Sequence, residues 1–182
     1  MLNENFKYDK FKSDFVFYKF QNLLSADVID YINNINTFEY CLIQGHRTDN
    51  KNRLWACQMV DNVFQTICQF FNTQGKDIFG KICNTSFKDC GTRIELCNDQ
   101  KGSFLNNHVD DPAKLFTLQL YLSNTNASTV LANTETSAEI NCGWFFVNTG
   151  TEWHTLKPLT HNRSSIIINY VNEKWRDLTV LV

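Results

Sequence analysis

The sequence predicts a mainly β fold, a sandwich or barrel of short strands with helices stacked on one face. Three observations carry this prediction. Beyond Gly75, eight short segments rich in β-branched and aromatic residues alternate with clusters of Asn, Asp, Gly, Ser and Thr. Before it, two stretches place apolar residues at helical spacing. Hydrophobic residues make up 43% of 182 residues, with 15 Phe, which supplies core for one domain rather than two small ones. A single domain over residues 1–182 is therefore expected, with N-terminal strands and supporting helices in 1–90 and the barrel in 91–172.

In chain order, residues 1–13 are polar and charged and read as a loose lead-in. Phe15–Phe20 is short, aromatic and β-branched, a strand. Ser25 suits an N-cap, Asp27 suits the positive end of the helix dipole, and Val28, Ile29, Ile32 and Ile35 give a helix to about Asn36. Phe38–Ile43 reads as a strand. Gln44–Arg53 has nothing apolar to anchor it and reads as an exposed loop holding His46, either solvated or part of a lid over a site. From Leu54 to Phe71, Trp55, Met59, Val60, Val63, Phe64, Ile67 and Phe71 share one side of the main helix, a stripe that suits a core. The eight strands expected beyond it are Thr92–Cys97, Ser103–Asn107, Leu115–Leu122, Ser128–Ala132, Ala138–Asn141, Trp144–Asn148, Glu152–Leu156 and Ser164–Val171.

A formal net charge of −2 and a pI near 6.1 offer no electrostatic attraction to nucleic acid or to an anionic membrane. The 7 cysteines include no Cys-x-x-Cys pair, and the seven-residue spacing of Cys83, Cys90 and Cys97 matches no zinc pattern. They read as small hydrophobes kept reduced, and a cytoplasmic protein is expected. The N-terminal residues lack the apolar core of a signal peptide, and no apolar run approaches a membrane span. The Asn-x-Ser/Thr triplets at Asn84, Asn126 and Asn162 are then coincidences of an Asn-rich chain.

Chemistry concentrates at Phe104–Asp111, Phe-Leu-Asn-Asn-His-Val-Asp-Asp. His108 and Asp110 stand two apart, so an extended strand would project both from one face. An imidazole and a carboxylate there make two-thirds of a metal site, and a mononuclear iron site is the working hypothesis. The third ligand has three candidates, His46, His154 and His161. Arg163 heads the last strand with Ser165 on the same face, ahead of a run of Ile, and no acid lies within Ser164–Val171 to pair with the guanidinium. A buried charge needs a partner, and a ligand carboxylate could be that partner. Each residue also has a plainer reading: a surface turn for His108 and Asp110, a core histidine beside Trp153 for His154, a solvated residue for His161, and a surface salt bridge for Arg163.

Taken in order, His-x-Asp, a distal His and then Arg-x-Ser, the set resembles the iron(II)- and 2-oxoglutarate-dependent oxygenases, in particular their prolyl-4-hydroxylase-like branch. The resemblance covers roughly the second half of the chain. It includes Gly102 six residues before His108, Tyr-Leu-Ser at Tyr121–Ser123, Gly143 before Trp-Phe-Phe-Val, and Arg163 nine residues after His154. It implies a double-stranded β-helix, the jelly-roll or cupin-like barrel. It also implies His108, Asp110 and His154 as the catalytic iron ligands, with positions left open for 2-oxoglutarate and O₂. Arg163 corresponds to the residue that pairs with the cosubstrate's far carboxylate, and Ser165 and Tyr121 to neighbouring hydrogen-bonding positions. The implied reaction is hydroxylation of a substrate carbon coupled to release of succinate and CO₂, with ascorbate as a reductant for the iron.

Two departures fall on the substrate side. Many members carry Tyr nine residues before the first ligand, where this chain has Asp99, and the usual Gly-Gly-x-Thr is replaced by Thr-Val-Leu-Ala-Asn-Thr-Glu-Thr. The carboxylate at Asp110 argues against the halogenase branch, and the nine-residue spacing with an acidic pI argues against the nucleobase-demethylating one. The expected substrate is a protein side chain or an amino-acid-like small molecule. The alternatives are another metabolite, such as a sugar or lipid derivative, or a barrel that only binds. The oligomeric state is open.

Overall fold

The strands from residue 91 onward form two antiparallel sheets, and the computed structural model of the chain describes residues 1–34, 51–55, 62–124, 129–136 and 138–172. Eight strands make the sandwich: β4 (Gly91–Asp99), β5 (Leu105–His108), β6 (Lys114–Tyr121), β7 (Thr129–Leu131), β8 (Thr134–Glu135), β9 (Cys142–Val147), β10 (His154–Leu156) and β11 (Arg163–Val171). The chain alternates between the sheets, so that β9-β6-β11-β4 are neighbours in one and β5-β10-β7-β8 in the other. This interleaving is the double-stranded β-helix, a jelly roll. The larger sheet is extended to seven strands by β1 (Lys7–Lys12) and β2 (Val16–Gln21) beyond β9, and by β3 (Lys51–Trp55) beyond β4.

Strand alternation gives the larger sheet two unlike faces. One buries Ile94, Leu96, Phe116, Leu118, Phe145, Ile166, Ile168 and Tyr170 against Val28, Ile29 and Ile32 of α1 (Ala26–Asn34), Ile67 of α2 (Asn62–Phe70) and Phe79 of α3 (Lys76–Cys83). Ring pairs tie this layer together, with Tyr18 stacked on Phe145 at 4.7 Å between centroids and Phe116 on Tyr170 at 4.9 Å. Each such pair contributes about 1 kcal/mol beyond its buried area. The other face meets the smaller sheet, where Tyr121, Trp144 and Phe146 pack with Leu131, Ala132 and Ala138. Between β6 and β9 the backbones approach so closely that a Cβ on Gly143 would sit 1.9 Å from the Gln119 carbonyl oxygen, which explains the glycine.

Several expectations are corrected. Lys7–Lys12 is an edge strand, not a loose lead-in; its charged side chains suit an edge that must not recruit another strand. Lys51–Trp55, read as the end of a loop and the start of a helix, pairs as β3 with β4. The chain beyond Gly75 does not turn strand-like at once. Phe71–Gly75 forms a π-helical turn that runs into α3, which ends on Asn84 in the left-handed conformation (φ 53°). Ala138–Asn141 is no strand; Thr134–Glu135 fills that place in the smaller sheet as β8. The strand expected at Phe38–Ile43, His46 and the polar segment 44–50, and residues 56–61 of the expected main helix lie outside the described residues. No described helix is long and apolar enough to cross a membrane.

Candidate metal centre

Strand register brings the two histidines together. His108 ends β5, His154 opens β10, and the two are directly opposed in the antiparallel pair, with ring centroids 4.2 Å apart. Asp110 lies just past the end of β5 rather than on it, and its carboxylate turns back toward both rings. One potential ligand atom from each of His108, Asp110 and His154 lies within 4.8 Å of the others, and this is the cluster found among the described residues. His161 is exposed, bonded to neighbouring Thr160 at 3.0 Å, and belongs to no such cluster.

The turn that delivers Asp110 is built by its neighbour. Asp111 accepts the Ala113 N–H on its side chain at 2.8 Å and the Lys114 N–H on its carbonyl at 2.9 Å, an Asx turn. Asn148 donates to the carbonyls of Asp111 (3.1 Å) and Lys114 (2.7 Å) and pins it. The turn that the plainer reading gave Asp110 thus belongs to Asp111. Asp110, 7% exposed, accepts from the Lys114 ammonium at 2.6 Å on Oδ1 and from the Thr117 hydroxyl at 2.7 Å on Oδ2. Burial alone would push its carboxyl up. The Lys114 charge, His154 and the two hydrogen bonds outweigh burial and bring it down to about 2. Lys114 is lowered by burial against the pull of Asp110. At neutral pH the site therefore presents a carboxylate.

Both imidazoles are oriented by backbone. His108 Nδ1 meets the Asn106 carbonyl oxygen at 2.8 Å and His154 Nδ1 meets that of Glu152, also at 2.8 Å. A carbonyl can only accept, so each Nδ1 carries a proton, and in the neutral ring this leaves the Nε2 lone pair for a metal. Burial lowers the His154 pKa, opposed by Asp110 and by the bond to Glu152, and so favours the neutral ring that a metal needs. Glu152 also shapes the turn before β10: its carboxylate accepts the N–H groups of Thr149, Gly150 and Thr151 at 2.8, 2.9 and 3.0 Å. That wrap requires φ of +89° at Gly150, where glycine is unstrained. Trp144 and Phe146 flank His154, at 6.1 and 5.5 Å between ring centroids.

The cavity beside the cluster runs between the sheets and is walled by polar side chains of β4, β6 and β11. Arg163 lines it and is paired within the protein. Asp99, expected on the substrate side, instead stands opposite it on β4 and takes its Nε at 3.2 Å and Nη2 at 2.6 Å, so the acid missing from Ser164–Val171 is supplied 64 residues earlier. Ser165 and Tyr121 lie behind the wall. Ser165 accepts from Gln119 at 3.0 Å. The Tyr121 hydroxyl sits among Thr129, Thr136 and the Trp144 indole N–H, at 3.3, 3.0 and 3.1 Å, with the Arg163 guanidinium 5.6 Å from its ring centre. Gln119 and Thr129 line the cavity in their stead, as do Arg93 and Glu95, which pair with each other. Sequence reading missed all of these. Their signal was a polar residue at every second position of strands that are otherwise apolar, Thr117 and Gln119 on β6 and Arg93 and Glu95 on β4.

No protein-family model matches the sequence, and no curated protein matches it either. Solved structures do match. A Pseudomonas putida prolyl-4-hydroxylase aligns over 86% of this chain and 92% of its own, with a TM-score of 0.66 at 15% identity. A Trichoplax adhaerens prolyl hydroxylase, in complex with a peptide fragment of the oxygen degradation domain of hypoxia inducible factor, gives 0.69 over 89% and 86% at 15% identity. The fold is that of the prolyl hydroxylases. A viral collagen prolyl hydroxylase from Paramecium Bursaria Chlorella virus-1, solved as its 2OG complex, shares this hydroxylase fold at 0.57 over 91% and 96%, with 16% identity. At such identities the likeness carries the architecture, and the chemistry has to be argued from the site itself.

Proposed function

We propose that the chain is an iron(II)- and 2-oxoglutarate-dependent oxygenase that hydroxylates an amino-acyl side chain or an amino-acid-like molecule. The observation that carries this reading is the His108–Asp110–His154 cluster, with both Nδ1 atoms committed to backbone carbonyls and a carboxylate kept ionised. Two neutral nitrogens and one oxygen on one side of a cavity suit a divalent iron with open positions, whereas a closed zinc site would need a fourth protein ligand. Iron held there supplies the oxidising chemistry, coupling decarboxylation of 2-oxoglutarate to succinate and CO₂ with insertion of an oxygen atom into a substrate C–H bond.

The chain's own residues supply placement and shelter. His108, Asp110 and His154 hold the metal, and Lys114 and Thr117 fix the carboxylate plane of Asp110. Arg163 is the buried cation of the cavity wall toward which the far carboxylate of 2-oxoglutarate is directed. Trp144 and Phe146 keep water from the His154 side. The peptide bound by the Trichoplax hydroxylase supports an amino-acyl target.

The test is incubation of the protein with iron(II), ascorbate, 2-oxoglutarate and O₂ against a library of peptides and amino acids, read as succinate. Succinate released in response to particular members, and lost in His108→Ala and Asp110→Ala, is the expected result. A response confined to sugars or lipids would reassign the substrate. Full iron loading of His154→Ala would overturn the ligand set.

A further inference from the structure

The buried end of the cavity holds an ion pair that the oxygenase reading does not call for. Asp99 and Arg163 are direct cross-strand partners on β4 and β11, and their side chains are 3% and 4% exposed. Two guanidinium nitrogens converge on a single oxygen, Oδ2, while Nη1 reaches the Thr129 hydroxyl at 3.4 Å. The second carboxylate oxygen, Oδ1, is buried with no hydrogen-bond partner among the described residues. Both residues line the same cavity as the metal cluster.

A guanidinium offers a carboxylate two edges, and Asp99 already occupies the one formed by Nε and Nη2. An arriving carboxylate must use the remaining edge beside an existing negative charge, or displace Asp99 and leave that charge buried. Away from water the repulsion between two anions on one cation is poorly screened, so the second gains much less than the first. Oδ1 points the same way: among the described residues it has no donor, and an ionised carboxylate brings none.

We propose that Asp99 sets cosubstrate specificity by neutralising Arg163 from within, so that a 2-oxo acid gains little affinity from a far carboxylate. The inference rests on the oxygenase reading and adds to it a statement about which 2-oxo acids the pocket tells apart. On this arrangement 2-oxoglutarate is held weakly, and Asp99 is a specificity-determining residue that touches the cosubstrate's tail.

The experiment titrates manganese(II)-loaded protein with 2-oxoglutarate and with 2-oxopentanoate, which has a methyl group in place of the far carboxylate. Calorimetry reads both affinities without turnover. Wild-type protein is expected to favour 2-oxoglutarate by less than tenfold. In Asp99→Asn, which keeps the shape and removes the charge, 2-oxoglutarate should tighten at least tenfold while 2-oxopentanoate stays within about twofold. A wild-type preference of tenfold or more overturns the proposal, and this arm stands even where the variant does not fold. An Asp99→Asn variant that folds, by its melting profile, and binds 2-oxoglutarate no more tightly also overturns it. If neither acid binds the metal-loaded protein, the oxygenase reading fails and takes this inference with it; binding of both acids with an unchanged ratio sinks this inference alone.

Discussion

The two faces of the larger sheet are made by the same strands and do opposite work. On β11, Ile166, Ile168 and Tyr170 look toward the helices, while Arg163, Ser165 and Asn169 look toward the smaller sheet. The helix side is a continuous apolar layer stitched by ring contacts. Among the described residues the sandwich side holds three cations matched to three carboxylates, Arg93 with Glu95, Lys114 with Asp110, and Arg163 with Asp99. Buried ion pairs rarely stabilise a fold over a hydrophobic replacement, because desolvation offsets their attraction. Stability is therefore expected to come from the helix side, and the sandwich side to be kept for chemistry.

The sharpest break of this symmetry is His108→Ala. It should abolish metal binding and succinate release altogether, yet move the unfolding free energy by no more than about 1 kcal/mol, since the ring is only half-buried. A large loss of stability would place His108 in the framework instead. On the helix side, Phe116→Ala removes a fully buried ring with three or more aromatic neighbours and should lower stability by about 3–5 kcal/mol in denaturant titration. A cost under about 1 kcal/mol would contradict the assignment of stability to that face. Arg163→Met alone should cost nearly as much, about 3–5 kcal/mol, by leaving Asp99 charged and alone. The double variant Arg163→Met with Asp99→Leu should recover most of it, and a double variant as unstable as the single would mean that the pair itself holds the sheets together. At the small end, Trp153→Ser acts on a ring that is 54% exposed and should stay within about 0.5 kcal/mol of wild type.

Legibility followed periodicity. Long strands with a clean alternation, β6 and β11, stood where the sequence placed them, as did the helix after Ser25. Elements held mainly by neighbours did not. β8 is two residues long, too short for any pattern. β1 reads Lys-Tyr-Asp-Lys-Phe-Lys and becomes a strand only because β2 is there to pair with it. α3 carries Ile78, Phe79 and Ile82 at helical spacing, but Gly80 weakens the signal. That glycine answers to packing, since a Cβ there would meet the Thr85 carbonyl oxygen at 2.7 Å.

The candidate site divides along the same line. Residue types offered His108, Asp110 and Arg163, because donor chemistry is a property of each side chain, and the family resemblance picked His154 from three histidines. What each residue meets was decided by register. The pairing of β5 with β10 sets His108 against His154, and that of β4 with β11 sets Asp99 against Arg163. A shift of one residue in either ladder would turn the partner to the opposite face. No local pattern encodes that choice, since it is made by the burial of whole strands against one another. Composition supplies the groups, and strand pairing sets a carboxylate on the arginine.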